Sequence, residues 1–284
     1  MTTHPKTSTR APLVRLITAG APLALLAGTA AAADTELTQQ TFQVSVGTFT
    51  NASKITIRAD GETPKSGDSI NWGDTFGDVD GTRFRLDSYW RINDRHHLRL
   101  MYTDNSSSRT KVLDRLIEWN GQEIPVDATV RTKFGFKIVE LVYEYDFSKR
   151  PDRELVLSGG IHYTNMSADL EANYLTPGGG GTTTAGSEVA VKAPLPVIGG
   201  RGMWKLGGDF WLDAQVQLFQ ITFGDVDGSI FNYRAAFLWQ PTNLFGVGAG
   251  YDSFGINVDA AGDNLNGKLR WTYAGPQIFF NLAF

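Results

Sequence analysis

The last eight residues, Gln277 to Phe284, constrain the fold most strongly, because they alternate along a chain that stops on an aromatic residue. Side chains of a strand point alternately to its two faces, so Ile278, Phe280, Leu282 and Phe284 share one face. The other face carries Gln277, Phe279, Asn281 and Ala283. This pattern predicts either the closing strand of a membrane barrel, between lipid and a lumen, or a buried strand of a soluble sandwich. We expect Ile278, Phe280, Leu282 and Phe284 to act as an assembly signal if the barrel interpretation holds.

The N-terminus resembles a secretory signal peptide in charge, apolar run and cleavage site. Lys6, Arg10 and Arg15 precede or border the apolar run of residues 16–27, and Ala30 to Ala33 offer an Ala-x-Ala site before Asp34. The alternative is a retained membrane anchor, but the run is shorter than the roughly 20 apolar residues that a membrane helix needs. We therefore predict cleavage of residues 1–33 and one domain over residues 34–284.

Several function classes are disfavoured by composition. The formal charge of the whole chain is −4, and the predicted signal peptide contains basic but no acidic residues, so the mature chain would be more acidic still. Binding to nucleic acid calls for a basic surface, so no nucleic-acid partner is expected. The chain has no cysteine, and therefore neither disulfides nor thiolate metal sites. Because no later stretch is long and apolar enough for a membrane helix, a membrane form must be a closed barrel.

Alternating rows recur between turn signals along the mature chain. The clearest has Phe84, Leu86, Trp90 and Ile92 on one face and Arg83, Arg85, Asp87 and Arg91 on the other, and Phe231 to Trp239 repeats the apolar row. Short turns are predicted at Asn93–His96, Lys149–Asp152, Gly207-Gly208 and Pro241–Asn243, with longer loops between them. The pattern favours an all-β transmembrane antiparallel barrel of ten strands, with eight or twelve as alternatives.

Three local features are also expected from the pattern. Asn120-Gly121 is a hairpin signal after a strand that runs to about Trp119. The apolar phase changes from Phe134 and Phe136 to Val139 and Leu141, which predicts a β-bulge near Lys137 to Val139. In the strand after the Gly-rich loop, Leu175 to Glu188, prolines at 194 and 196 lack the N–H of a paired ladder, so firm pairing is expected only from about Val197.

With these rows, the signal peptide and the terminal Phe284, the whole mature chain resembles the small outer-membrane β-barrel superfamily of Gram-negative bacteria, which includes OmpA-, OmpX- and OmpW-like barrels. The resemblance implies location in the cell outer membrane, short periplasmic turns and long extracellular loops, and assembly by the outer-membrane barrel machinery. It also implies contact with membrane lipid and lipopolysaccharide, and a monomer. The superfamily contains porins, adhesins, enzymes and anchors, so the resemblance does not select among them.

The inward phase of the predicted strands collects charged residues in the lumen. They are Arg83, Arg85, Asp87, Arg91, Arg99, Glu140, Glu144, Asp146, Glu154, Arg201, Lys205, Asp213, Arg234 and Asp252. Their signs nearly balance. The set therefore predicts either a polar channel or gate, or a plug of ion pairs, and the plug or a narrow gate is favoured because small barrels fill their interiors with side chains.

Other chemistry has weaker support. Gly-Asp-Val-Asp-Gly occurs twice and offers Asp78, Asp80, Asp225 and Asp227 as weak metal candidates, although Asp-Gly is ordinary turn chemistry; no cofactor is expected. The mature chain has only His96, His97 and His162, the first two beside a turn and the last expected to be a hydrogen-bonding lumen residue, so no catalysis is predicted.

Three functions follow in order of preference. The first is narrow or gated passage of small solutes. The second is a structural or surface-interaction barrel, which contacts lipopolysaccharide, another cell or a partner through the hairpin of residues 104–132 and the Gly-rich loop. The third is an outer-membrane hydrolase.

Overall fold

The structure is a computed structural model that describes residues 36–60, 67–176, 181–262 and 265–284. The predicted signal peptide, with its cleavage site, lies outside the described residues, and so does part of the Gly-rich loop. Cleavage before Asp34 therefore stays a prediction. None of the helices in the described part of the chain is long and apolar enough to cross a membrane.

Strands make up most of the described chain, with one 3₁₀ turn, Leu37–Gln39, and one short helix, α1 at Trp72–Phe76. The strands are β1 (Phe42–Ala59), β2 (Ile70–Asn71), β3 (Gly81–Arg91), β4 (His96–Val112), β5 (Ile117–Trp119), β6 (Gln122–Ile124), β7 (Thr129–Asp146), β8 (Arg153–Leu175), β9 (Thr182–Gly207), β10 (Phe210–Phe223), β11 (Val226–Trp239), β12 (Phe245–Gly262) and β13 (Leu265–Ala283).

Ten of these strands form a closed antiparallel barrel. The ladder runs β13-β12-β11-β10-β9-β8-β7-β4-β3-β1, and β13 pairs with β1 to complete the ring. The closing register runs from Gln43 opposite Ala283 to Ala59 opposite Gly267. Next to this register, the Phe42 N–H donates to the Phe284 carbonyl at 2.7 Å, and the Phe284 N–H donates to the Phe42 carbonyl at 2.8 Å. The predicted ten-stranded barrel is therefore confirmed, and its last residue belongs to the seam.

The two ends of the barrel differ, as the turn signals predicted. One end, here called the short-turn end, holds the turns between β3 and β4, β7 and β8, β9 and β10, and β11 and β12. The other, the loop end, holds α1 and β2 after β1, and the β5–β6 hairpin after β4. This hairpin turns at Asn120 and Gly121, whose φ angles of 50° and 75° are those of a tight hairpin turn. It is a separate two-stranded sheet, because β4 ends at Val112 and not near Trp119.

Apolar side chains cover the outside of the barrel at the short-turn end and the middle. Exposed aromatic side chains lie near both edges of this apolar band. The edge towards the loop end, here the upper edge, has Tyr163, Tyr233 and Tyr251, and the lower edge, towards the short-turn end, has Trp90 and Trp239. Aromatic rows at both edges of an apolar belt are typical of barrels that cross a membrane. The row Ile278, Phe280, Leu282 and Phe284 belongs to this band and is exposed along its whole length.

The bulge predicted in β7 is absent, so that prediction was wrong. The register of β7 with β4 and with β8 is continuous from Thr129 to Asp146. Phe134 and Phe136 are buried on the same inner face as Glu140 and Glu144. What changes near Lys137 is the polarity of the two faces, while the geometry of the strand stays the same.

Firm pairing of β9 was expected only from about Val197, and this prediction was correct only for the edge that faces β10. Against β8, β9 pairs from Thr182 onward, so the strand begins inside the segment predicted as a Gly-rich loop. Against β10, pairing extends only as far as Ile198 opposite Leu218. Pro194 and Pro196 thus lie where one edge of β9 has no neighbouring strand, which is where proline is tolerated.

Candidate functional site

The interior of the barrel is the candidate site, and its lower half, towards the short-turn end, is filled by ion pairs. Arg85 lies between two carboxylates, with its Nε 2.7 Å from Asp87 Oδ2 and its Nη1 2.7 Å from Asp252 Oδ2. Arg85 and Asp252 are 167 residues apart in sequence, and both are buried. The closure of the barrel brings them together from β3 and β12.

A second group surrounds Glu154 on β8. Arg91 donates from Nη2 to Glu154 Oε2 at 2.7 Å, and the Tyr89 hydroxyl donates to Glu154 Oε1 at 3.0 Å. Arg201 lies 3.6 Å from Glu154 and 2.7 Å from Asp213. The Arg201 guanidinium also lies over the Tyr89 ring, 5.3 Å from its centre. Each carboxylate in this group faces at least one guanidinium, as buried charge requires.

Arg99 on β4 is the centre of a third group. Its Nε lies 2.9 Å from Glu144 Oε1, and its Nη2 lies 3.5 Å from Glu140 Oε1. Glu144 also lies 3.5 Å from Arg201, which joins this group to the previous one. His162, expected as a lumen residue, is buried beside them, with Nδ1 3.1 Å from Thr164 Oγ1 and Nε2 3.9 Å from Glu140.

Of the remaining predicted lumen residues, Arg234 lines the same polar cavity as Asp87, Arg99 and Arg201, and the other three lie at the margins of this network. Arg83 is higher, where it donates to the Val79 carbonyl at 2.6 Å and stacks over Phe136. Lys205 is at the short-turn mouth and pairs with Glu36 at 2.5 Å. Arg234 lies over the Phe279 ring, and Asp146 accepts from the Ser148 N–H at 2.9 Å. The alternation along each strand therefore predicted that these side chains point inward, but it did not predict which of them lie at the centre of the network.

His97, predicted to lie beside a turn, belongs to the network. It is fully buried, its Nε2 is 2.7 Å from Arg91 Nη1, and its Nδ1 is 3.7 Å from Glu154. His97 shares the inward phase of Arg99, two residues later, and this shared phase was the signal available in the sequence. At the turn itself, Lys149 donates to Asp94 at 2.7 Å, and this bond lowers the pKa of the Asp94 carboxyl below its ordinary value.

A metal ion has weak geometric support in the described part of the chain. The one group of three potential ligands there is His97, Glu144 and Glu154. Both carboxylates already face arginines, so the positive charge that a metal would supply is present. The weak candidates Asp78, Asp80, Asp225 and Asp227 are exposed and lie outside this group, the first three in loops or turns and Asp227 near the start of β11. Asp80 instead accepts from the Ser53 N–H at 2.7 Å, which is ordinary loop chemistry.

Above the ion pairs, the interior becomes an aromatic core. Trp271 on β13 is completely buried, with ring centres at 4.2 Å from Phe136, 5.5 Å from Phe254 and 5.2 Å from Tyr273. His162 stacks on Phe254 with ring centres 5.3 Å apart, so the aromatic core and the ion-pair network are in direct contact. The interior is thus filled at two successive levels.

The loop-end segments close the top of this core. Trp72 of α1 packs on Trp119 of the β5–β6 hairpin and on Phe134 of β7, with ring centres 6.3 and 5.8 Å apart. The Asn120 N–H donates to the Ala59 carbonyl at 3.1 Å, and Trp119 Nε1 donates to the Ser187 carbonyl at 3.4 Å. The hairpin is therefore fastened to both β1 and β9 across the mouth.

Small cavities remain within this packing. One of about 50 Å³ lies among the network residues, lined by Asp87, Arg99 and Arg201. Another of about 40 Å³ lies in the apolar level, lined by Phe134, Met166 and neighbours. The short-turn mouth has a wider recess of about 350 Å³, lined in part by Leu37, which is buried in one cluster with Met203, Trp211 and Leu238.

Comparison with known proteins identifies a fold and no sequence family. No family model matches the sequence, and no curated protein matches it. The outer membrane protease OmpT from Escherichia coli superposes with a TM-score of 0.51 at 11% identity, over 86% of this chain and 97% of that one. The translocator domain of the autotransporter NalP from Neisseria meningitidis gives 0.45 at 8% identity, over 86% and 88%. Ail from Yersinia pestis gives 0.31 at 10% identity, over 84% and 99%. The likeness to OmpT shows that this chain has the fold of outer-membrane β-barrels.

Proposed function

We propose that this protein is an outer-membrane barrel that does not conduct solutes and acts through its loop-end surface. The observation that carries the proposal is the filled interior, with paired charges below and a fully buried aromatic core above. Cavities of about 40 to 50 Å³ hold little more than isolated waters, so they do not form a path.

The loop end has the character of an interaction surface. The β5–β6 hairpin is held in place by Trp119, Asn120 and the aromatic contacts below it, so a partner would meet a pre-ordered surface. Three apolar side chains near the hairpin, Val112, Leu116 and Val126, are each about half exposed. Contiguous exposed apolar side chains mark interaction sites, so these three are the residues that a surface role would use.

Planar-bilayer recording of the refolded protein tests the closed lumen. We expect no discrete channels, and no change on replacement of Arg85 or Arg99 by alanine provided that the variant refolds. Steps of conductance that respond to Arg99→Ala would refute the proposal.

The surface role is tested by the settling rate of cells that express the protein, which should change in a Leu116→Ser, Val126→Ser variant and stay constant in a Lys133→Gln variant.

Gated passage is the second candidate, and one observation favours it. The polar cavity among Asp87, Arg99 and Arg201 lies below the aromatic core, and the recess at Leu37 lies at the mouth beneath. A solute path through them would require displacement of Trp271 and its neighbours.

Catalysis is not part of the proposal. Turnover of phospholipid, lipid A or peptide that disappears in His162→Ala would restore the hydrolase alternative.

A further inference from the structure

The wall of the barrel splits between β9 and β10 at the loop end. Their ladder stops where Ile198 is opposite Leu218, although both strands continue beyond this pair towards the loop end. Every second residue of β9 faces β10, and the next two in that series are Pro196 and Pro194. Proline has no N–H to donate, so two successive donors of the ladder are missing where the split begins. The split therefore has a cause in the sequence.

Above these prolines, β9 has a free edge, with which no strand in the described part of the chain pairs. The odd-numbered residues of β9 bond to β8, as shown at its lower end by the Lys205 N–H, which donates to the Asp152 carbonyl at 2.8 Å. Successive residues of an antiparallel strand direct their backbone groups to opposite neighbours, so the even-numbered residues face away from β8. The free edge consists of the N–H and C=O groups of Thr184, Gly186, Glu188, Ala190 and Lys192.

The free edge is accessible from the side of the loop end. All five of its residues are exposed, and Thr184, Gly186 and Ala190 are small. Pro194 is opposite Tyr163, at the upper edge of the apolar band, so the free edge begins near that level and rises away from a surrounding membrane. A long exposed edge with unpaired backbone groups is a template for pairing with another chain. A partner outside the cell would reach it without entering the lipid.

The inner face beside the free edge is apolar. Val189 and Leu195 of β9 and Phe219 of β10 are only partly buried, although they pack against the fully buried core. Val189 also lines the apolar cavity of about 40 Å³. Because an added strand would place every second side chain next to these residues, burial of apolar surface there would stabilise the pairing. The inward positions of a partner strand should therefore be apolar.

The outer face beside the free edge has an acidic residue without a partner. Glu188 is opposite Asp169, but the charge of Asp169 is already paired with Lys133 at 3.6 Å. Glu188 itself has no ion pair within the part of the chain that the structure describes. A lysine or arginine opposite Glu188 would supply one. An exposed pair adds little affinity, so this contact would mainly set the register of the partner strand.

We propose that an extended segment of a partner protein adds a strand to the free edge of β9. The segment runs antiparallel to β9, with apolar residues inward and a basic residue opposite Glu188; its main-chain hydrogen bonds supply the affinity. A second copy in the same membrane fits less well, because its β9 would run parallel to this one, and parallel pairing is the less stable. The inference deepens the proposed surface role and rests on the loop end facing outward, but it uses β9 and not the β5–β6 hairpin.

Fluorescence anisotropy of a labelled model peptide, with the detergent-refolded mature protein, tests the pairing. A strand opposite Thr184 to Lys192 has nine residues, so the probe is a peptide of that length with valine at the inward positions, threonine at the outward positions and one lysine at the centre. N-methylation of the outward residues that flank the lysine removes N–H groups directed at β9. The same change at the adjacent inward residues removes N–H groups directed away from it. We expect saturable binding that weakens roughly tenfold or more in the first methylated form and persists in the second.

Variants of the protein test the same contacts from the other side. Ala190→Pro removes a donor of the free edge and none that bonds to β8, so binding should weaken roughly tenfold while folding is retained. Ala190→Thr keeps this N–H and is the matched control, with binding unchanged. Glu188→Lys should weaken binding of the lysine peptide by about two- to fivefold and favour a peptide with glutamate at the centre. The Leu116→Ser, Val126→Ser variant should bind the peptide normally, which distinguishes failure of strand addition from failure of the hairpin role.

Four results would overturn the proposal. They are no saturable binding to the wild type, equal effects of the two methylations, unchanged binding in an Ala190→Pro variant with native heat-dependent gel mobility, and a detergent-solubilised dimer that dissociates in that variant. The last result would assign the free edge to a second copy. If Ala190→Pro does not refold, the two methylated peptides decide the question, since they leave the protein unaltered.

Discussion

Arg201→Met tests whether the lumen is dry. In the wild type, the Arg201 side chain is 9% exposed and lies 2.7 Å from Asp213, 3.5 Å from Glu144 and 3.6 Å from Glu154. Glu144 keeps Arg99 and Glu154 keeps Arg91 in the variant, whereas Asp213 loses its ion-pair partner. Removal of one member of a buried pair costs about 3 to 5 kcal/mol. The Asp213 side chain is 14% exposed and Arg234 lines the same cavity, so the expected loss is at the lower end of that range.

A water-filled lumen gives a different magnitude for the same substitution. Two charges 2.7 Å apart attract each other by about 1.5 kcal/mol at the dielectric constant of water, and less after screening. The measurement is reversible urea unfolding in phospholipid vesicles, followed by tryptophan fluorescence. A loss of stability of about 3 kcal/mol or more indicates a dry, closed interior, whereas a loss below about 1 kcal/mol would show a water-filled lumen and contradict the proposed closed barrel.

A second substitution separates loss of charge balance from loss of packing. Asp213→Asn removes the carboxylate that Arg201→Met leaves unpaired, so the double variant should recover much of the lost stability. Lys133→Met removes one partner of an exposed pair, and its effect should stay within about 0.5 kcal/mol. Additive losses in the double variant would show that Arg201 acts through packing and not through its charge.

Two other predictions concern the aromatic core and the end of the chain. Trp271→Ala should lower the free energy of unfolding by about 3 to 5 kcal/mol, measured by the same urea titration, because it empties a fully buried site; an effect below about 1 kcal/mol would contradict the packed core. Phe284→Ala should reduce insertion in cells, measured as the fraction of protein in the outer membrane, while refolding in detergent stays normal. The Phe284 side chain is exposed and its two bonds to Phe42 are made by the backbone, so equal insertion of variant and wild type would defeat its role as an assembly signal.

The strands of the barrel wall could be predicted from the sequence because their outer faces must be apolar where they contact lipid. Lipid accepts only apolar side chains, so the row of Phe84, Leu86 and Trp90 gave both the strand and its orientation. The opposite phase then placed Arg85 and Arg91 inside, where the structure has them. Turn signals such as Asn120-Gly121 supplied the hairpins, since positive φ angles restrict the residues that fit.

The contacts inside the barrel were not predictable to the same degree. The pattern of one strand gives the face on which a side chain lies but not its angular position around the ring. Arg85 contacts Asp252 only because the registers of all the strand pairs around the ring bring the two side chains to the same level. The sequence of β3 alone does not contain that information. His97 was missed for a related reason, since its position next to a turn concealed that the inward phase of β4 already applied to it.

The false bulge in β7 has a physical cause that extends to the whole barrel. Near Lys137 the strand leaves the apolar band, so the outside becomes polar and the inside becomes the aromatic core, and the hydrophobic phase reverses without any change of register. β13 shows the same reversal, with Phe280 outside, nearer the short-turn end, and Trp271 inside, nearer the loop end.

The chain has no cysteine, so single spin labels can test the reversal in β7 directly. Labels at Leu141 and Lys133 should both face outward, the first accessible to oxygen in lipid and the second to a water-soluble relaxing agent. An immobilised, inaccessible label at Lys133 would restore the bulge and place the aromatic row of β7 on the outer surface.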